Sequence, residues 1–279
     1  MTDHLLHGIR VTSIATNVPG PVACARLTRL GAQVTKVEPP AGDALAGWAP
    51  AWYAELAAGQ EVVQLDLKSD SDRAAMHALL ASSDLFIAST RPSALARLGL
   101  DAATLGARYP QLCTVSIVGF ASPNSDVAGH DLTYQADTGL APAMGLPTTL
   151  VADLSAALDA VGVALALLAH RARTGAGGWR EVALADCAHD FSAPHRHGLT
   201  APGGVLGGGL PEYGSYRARD GVLVVAALEP HFRQRLLSVL GLPAPDHAAF
   251  AAAFASHEVA HWLEVARTHD LPIAAVSAP

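Results

Sequence analysis

Cysteine is scarce: Cys24, Cys113 and Cys187 are far apart and form no Cys-x-x-Cys pair. This argues against a disulfide framework or a cysteine-rich zinc site, and it leads us to expect a reducing, cytoplasmic setting. Charge is scarce too, at 15% of 279 residues, with a net of −7 and no Lys/Arg run. Nucleic acid is therefore not an expected partner, because binding a phosphate backbone needs clustered cations. No Gly-x-Gly-x-x-Gly occurs, which disfavours a nicotinamide or flavin dinucleotide site. The opening Met-Thr-Asp-His-Leu-Leu-His-Gly has neither a basic n-region nor an apolar h-region, so no export signal is expected. The longest apolar run, 154–169, is interrupted by Asp159 and falls short of the roughly 20 apolar residues that span a bilayer. It reads as a buried helix, and no membrane partner is expected.

What the chain does have is apolar material, 51% of its residues, enough for a substantial core. Short β-branched runs at 9–14, 33–37, 62–67, 85–88 and 113–118 alternate with helical spacing over 22–30, 70–82 and 94–105. Strand, helix, strand in succession implies a mainly parallel sheet covered by helices, so the fold class is α/β. After the long helix, 180–184 reads as another strand. Residues 192–211, with six glycines and three prolines, read as a linker between a large domain over 1–191 and a smaller α+β domain over 212–279. In that domain a hairpin of 213–217 and 222–227 turns at Asp220-Gly221, followed by helices near 230–240 and 248–268.

Two proton-active side chains stand out. His130 lies in a Gly-flanked turn, and Asp153 stands at the mouth of the apolar helix. An imidazole and a carboxylate on opposite faces of a carbon acid could remove a proton from one face and return it to the other. Asp153 also suits a helix N-cap, and capping competes with catalysis for the same oxygens. A free helix N-terminus beside it would stabilise a developing oxyanion. The loop Asn17-Val-Pro-Gly-Pro21, between the first strand and first helix, is a second place where open α/β sheets bind ligands. His257-Glu258-Val259-Ala260-His261 matches the zinc-protease pattern, but its sequel offers only His269 and Asp270 as a third ligand. Asp186, His189, His195 and His197 follow no ligand spacing, so no metal is expected.

The chain resembles the class III CoA-transferases, through many spaced motifs in one order. These are the Pro-Gly-Pro loop, Leu30-Gly-Ala-Gln-Val-Thr-Lys-Val-Glu-Pro-Pro40 with Gly42-Asp43, Leu65-Asp-Leu-Lys68, Arg91-Pro92, Arg97-Leu-Gly-Leu100, Arg173-Thr-Gly175 and Asp220-Gly221. Within that family Gly129-His130-Asp131-Leu-Thr-Tyr, Leu150-Val-Ala-Asp153 and Ala227-Leu-Glu229-Pro-His-Phe232 are similar to the active-site segments of the α-methylacyl-CoA racemases.

The resemblance implies a Rossmann-like, CoA-binding large domain and an acyl-CoA racemase or epimerase acting on a 2-substituted acyl-CoA. His130 and Asp153 would be the acid/base pair, with Glu229 orienting His130. Coenzyme A would arrive as part of the substrate, with no tightly bound cofactor, and would contact Leu65, Lys68, Arg91, Ala94 and Arg97. In the transferase branches the aspartate at Asp153 instead attacks the acyl-CoA, so a CoA-transferase is the alternative. Family members form interlocked homodimers, and a homodimer is expected. Four departures from the family pattern are read: Ala57-Ala-Gly-Gln-Glu-Val replaces a basic stretch, no Arg follows Gly42-Asp43, the segment between His130 and Asp153 reads several residues shorter than in the racemases, and the return segment expected after the small domain is not found in this sequence. They make a non-catalytic CoA-binding subunit, or pairing with a longer homologous subunit, the reading from another class.

Overall fold

The computed structural model describes residues 4–277. The chain divides into two compact units, one ending at Ser192 and the other beginning at Ala193.

In the first unit six parallel strands, β1 (Arg10–Ser13), β2 (Gln33–Glu38), β3 (Glu61–Gln64), β4 (Leu85–Ala88), β5 (Cys113–Val118) and β6 (Gly178–Ala183), lie in the order β3-β2-β1-β4-β5-β6. This is the doubly wound Rossmann order, and the direction of winding reverses between β1 and β4. The helices of this unit are α1 (Pro19–Arg29), α2 (Leu45–Trp48), α3 (Pro50–Ala57), α4 (Asp70–Ala81), α5 (Pro92–Arg97), α6 (Ala102–Arg108), α7 (Asp131–Asp137), α8 (Val151–Thr174) and α9 (Leu184–Phe191).

The pleat divides each central strand between two cores. Leu85 and Ile87 of β4 join Val115 and Ile117 of β5 against α1 and α8, where Ala156, Ala157, Ala160 and Ala164 are fully buried. Phe86 and Ala88 face the other way, onto Met76 and Leu80 of α4, Leu95 of α5 and Leu105 of α6. The alanine stripe lets α8 lie close to the sheet.

Several expectations need correction. The helix expected over 94–105 is two helices, because Gly99 turns the chain at φ +69° and Asp101 then caps α6 by accepting from the Ala103 and Thr104 N–H groups. Helix α8 has 24 residues, beginning before the apolar run, and is long and apolar enough to cross a membrane by length and composition. Here its alanine face is part of the core beside β5. Helices α2, α3, α7 and α9 were not anticipated.

The second unit holds a three-stranded antiparallel sheet, β7 (Tyr213–Arg217), β8 (Val222–Ala226) and β9 (Ile273–Ala275), in that order. Its helices are α10 (Ala193–Arg196), α11 (Pro230–Leu240), α12 (His247–Phe254) and α13 (Val259–His269). Part of the stretch expected as linker is therefore structured, with α10 and a π-turn at Val205–Gly209. The helix expected over 248–268 is interrupted between Phe254 and Val259, and Glu258 sits at the N-cap of α13. Phe250, Phe254, Trp262 and Leu223 form this unit's own core.

Candidate functional site

At the C-terminal ends of the parallel strands, beside the point where winding reverses, two neighbouring cavities open. Both have Thr16, three residues beyond the end of β1, in their walls. The first, about 220 Å3, is walled by Asn17, Arg91, His130, Tyr134 and Asp153 among others. The second, about 270 Å3, is walled by Glu38, Leu65, Lys68 and Thr90. This is where doubly wound sheets bind ligands. The expected pair His130 and Asp153 thus face one space, with Arg91. Leu65 and Lys68 border the adjoining one. Ala94, half-buried on α5, and Arg97, exposed at its end, border neither.

His130 is the N-cap residue of α7, extended at φ −142° and exposed. Its main chain is fixed by Thr133, whose hydroxyl lies 3.1 Å from the His130 N–H and 2.8 Å from its carbonyl. The preceding Gly129 is there for space: a Cβ on it would stand 2.5 Å from the Tyr134 hydroxyl. Tyr134 is buried edge-on against Phe120, and burial, followed by the charge of Asp153, pushes its phenol up.

Asp153 is the third residue of α8, not its cap. The cap position is Leu150, and the capping is done from another helix. Asp131 Oδ1 accepts from the Ala152 N–H at 2.8 Å and the Asp153 N–H at 3.2 Å. Gln135 Nε2 in turn donates to Asp131 Oδ2 at 2.5 Å and to the Thr149 carbonyl at 3.0 Å. The expected free helix N-terminus is therefore largely occupied, while the Asp153 carboxyl accepts no hydrogen bond from any described residue. Burial, and secondarily the nearby Asp131 charge, push Asp153 up to about 7. Desolvation and a like charge both favour the neutral acid.

The Pro-Gly-Pro loop also differs from expectation as an anion site. Of the first three residues of α1 only Gly20 has an N–H, since Pro19 and Pro21 have none. Gly20 is required where it is, because a Cβ would lie 2.1 Å from that of Ala15. Asn17, at φ +68°, is held by its N–H to Asp43 Oδ1 at 3.0 Å. Asp43 Oδ2 meets Lys36 Nζ at 2.7 Å, and Lys36 also reaches Glu38 at 2.8 Å. All three are buried, and the Tyr53 hydroxyl completes the cluster on Glu38 at 2.8 Å. Buried charge in this amount is tolerated only because each group is paired and hydrogen-bonded.

Glu229 lies in the second unit, exposed at the N-cap of α11, where its side chain makes no capping hydrogen bond. The rings of His257 and His261 stack with centroids 4.0 Å apart, and Ser256 holds His257 Nδ1 at 2.7 Å. Stacked rings do not point their nitrogens at a common ion, and no group of three or more His, Cys, Asp or Glu among the described residues is arranged to hold a metal.

An α/β sheet of Rossmann order with a carboxyl and an imidazole at its switch point defines a protein built to handle a ligand at that edge. Residues 6–279 match the model of CoA-transferase family III, and the chain belongs to that family. It is 30% identical to a succinate–glutarate CoA-transferase of Agrobacterium fabrum, over 93% of this chain and 72% of that protein. It is 28% identical to the α-methylacyl-CoA racemase of Mus musculus, over 94% and 74%. Among solved structures a hypothetical protein from Mycobacterium tuberculosis superposes with a TM-score of 0.85 at 24% identity, covering 98% of this chain and 85% of that one.

Proposed function

We propose that this protein is an acyl-CoA racemase or epimerase that moves the α-proton of a 2-substituted acyl-CoA between His130 and Asp153. The observation that carries the reading is that both groups wall one cavity while the Asp153 carboxyl accepts no hydrogen bond from any described residue and is pushed up to about 7 by burial. A proton carrier works best when its pKa lies near the working pH, and an imidazole is its natural counterpart.

One group takes the α-proton as the C–H bond breaks and its electron pair moves into an enolate. The charge that develops on the enolate oxygen would have to be met by donors at the cavity wall. The other group then delivers a proton to the opposite face, and the enzyme returns to its starting state after transfer in the reverse direction or exchange with water. The acyl-CoA would reach across the two cavities that share Thr16 in their walls, with Leu65, Lys68 and Arg91 along the CoA and Ala94 and Arg97 meeting it beyond the cavity walls. Glu229 would orient His130, and the working form would be a homodimer.

A second reading is favoured by the 30% identity to a CoA-transferase. There Asp153 attacks the thioester carbonyl and carries the acyl group as an anhydride while CoA leaves as the thiolate. Incubating a 2-methylacyl-CoA in deuterium oxide decides between them. Deuterium should enter Cα in a His130- and Asp153-dependent way. Absence of exchange, together with a hydroxylamine-sensitive adduct on Asp153, would replace the racemase reading with the transferase.

A further inference from the structure

The segment between the two reactive groups has its ends held by two side chains, Asp131 and Gln135, to which the sequence assigned no role. Asp131 directly follows His130, yet its carboxylate reaches 21 and 22 positions on to the first turn of α8. Gln135, one turn along α7, grips the other Asp131 oxygen and the carbonyl of Thr149, the residue before the cap of α8. Both side chains are buried, at 6% and 1% exposure. Two of the four N–H groups that a helix start leaves unpaired, those of Ala152 and Asp153, thus share one acceptor from outside the helix.

We infer that Asp131, clasped by Gln135, is the positioning residue for Asp153: it ties the turn bearing His130 to the turn bearing Asp153 and sets a fixed negative charge beside the reactive carboxyl. The inference rests on the reading of Asp153 as the proton carrier. A cap could have been built from a serine or asparagine at position 150, as in most helices. Instead Leu150 occupies that position and makes no side-chain hydrogen bond, and the work is done by a charged group from α7. A carboxylate at that point does two things that a neutral cap does not. It accepts two N–H bonds on one oxygen while leaving the other for Gln135, and it opposes loss of the Asp153 proton. The charged or titratable side chains that share the cavity are His130, Tyr134 and Arg91. Of the groups acting on Asp153, burial is the larger and Asp131 the second.

The test separates charge from shape in the full chain. Asp131→Asn keeps an oxygen for the Ala152 and Asp153 N–H groups and removes the charge together with the acceptor for Gln135, and the loss of that second contact alone is measured by the next variant. Gln135→Leu keeps the charge and removes the clasp. Carboxyl-13C NMR of aspartate-labelled protein, with the Asp153 signal assigned by its loss in Asp153→Asn, reads the titration without any substrate. Asp131→Asn should lower the Asp153 midpoint by roughly one unit, moving the acid limb of the α-proton exchange profile with it. Gln135→Leu should leave the midpoint no lower while reducing kcat about tenfold, by misplacement alone. An Asp153 midpoint unmoved in Asp131→Asn would overturn the inference. Asp131→Ser, another neutral acceptor, substitutes if the asparagine variant does not fold, and failure of both to fold would show a purely architectural role and overturn it equally. Loss of the racemase reading would show as absent exchange in the unaltered protein, whereas the titration answers independently of it.

Discussion

Asp131 hydrogen-bonds the main chain of Asp153, its Oδ1 taking the Asp153 N–H at 3.2 Å and the Ala152 N–H at 2.8 Å. One carboxylate serves the helix so that the other need not. A cap at Asp153 and a proton carrier at Asp153 would compete for the same two oxygens, and the structure removes the competition by bringing the capping oxygen from α7. The Asp153 carboxyl is left half-buried, facing a cavity, with no hydrogen bond from any described residue.

That arrangement has a stability signature. Asp153 titrates near 7 in the folded protein against 3.8 for an ordinary aspartate. With the folded value raised, its contribution is fully present below about pH 4 and is lost as pH rises through about 7. Asp153→Asn should therefore leave stability little changed at pH 4 and raise it at pH 8 by roughly 2–4 kcal/mol. Urea unfolding at the two pH values checks this, and equal effects at both would contradict it.

Separate faces demand separate acids and bases. In His130→Ala, Asp153 alone can still exchange the α-proton it faces, so one enantiomer of a 2-methylacyl-CoA should take up deuterium without inverting. Asp153→Asn should show the opposite preference. Racemisation should fall at least a hundredfold in either variant, consistent with the usual weight of one acid/base group. Chiral chromatography with mass detection reads both quantities, and equal loss of exchange for both enantiomers in both variants would count against two bases.

Much of this was legible in the chain. The alternation of β-branched runs with helical spacing gave all six strands of the parallel sheet to within a few residues, because a fully buried strand such as Leu85–Ala88 is a continuous apolar run and Cys113–Val118 interrupts its apolar residues only with the small Thr114 and Ser116. The pair His130 and Asp153 stood out as an imidazole and a carboxylate on one loop system, and the family motifs then gave it an acid/base role. What local pattern could not show was a contact across 21 residues, so Asp131 and Gln135 passed unnoticed although Asp131 stood inside a quoted motif. Likewise Gly42-Asp43 read as a family marker, while its role, holding Asn17 and Lys36, needed the loop's path in space. The glycine at 99 was visible, yet a single glycine in a helical pattern is often tolerated, and here it ends α5.

The buried Lys36 cluster should be unforgiving. Lys36→Met leaves Glu38 and Asp43 buried with their cation gone, and should cost about 3–5 kcal/mol. Because Asp43 also holds the Asn17 N–H, the loss should reach the cavity wall, and hydrogen exchange at Asn17 should speed up before global unfolding. A variant with unchanged stability would mean that water replaces the ammonium at this site.

The last prediction concerns Gly129, whose place before His130 has a steric cause. A methyl group there would come within 2.5 Å of the Tyr134 hydroxyl and 2.6 Å of two of its ring carbons. Tyr134 is 2% exposed and wedged against Phe120, so it has little room to yield. Gly129→Ala should therefore cost about 1–3 kcal/mol, the usual range for overpacking, and displace His130 enough to reduce α-proton exchange about a hundredfold. Tyr134→Phe should not rescue it, since the ring carbons that clash remain. Tyr134→Leu in the Gly129→Ala background should recover part of the lost stability, with a coupling energy of about 1 kcal/mol or more between the two sites. The double-mutant cycle, read by urea unfolding, distinguishes this from a backbone effect of glycine: a backbone effect would make the two substitutions additive, and only a collision between position 129 and the Tyr134 ring makes the second change relieve the first.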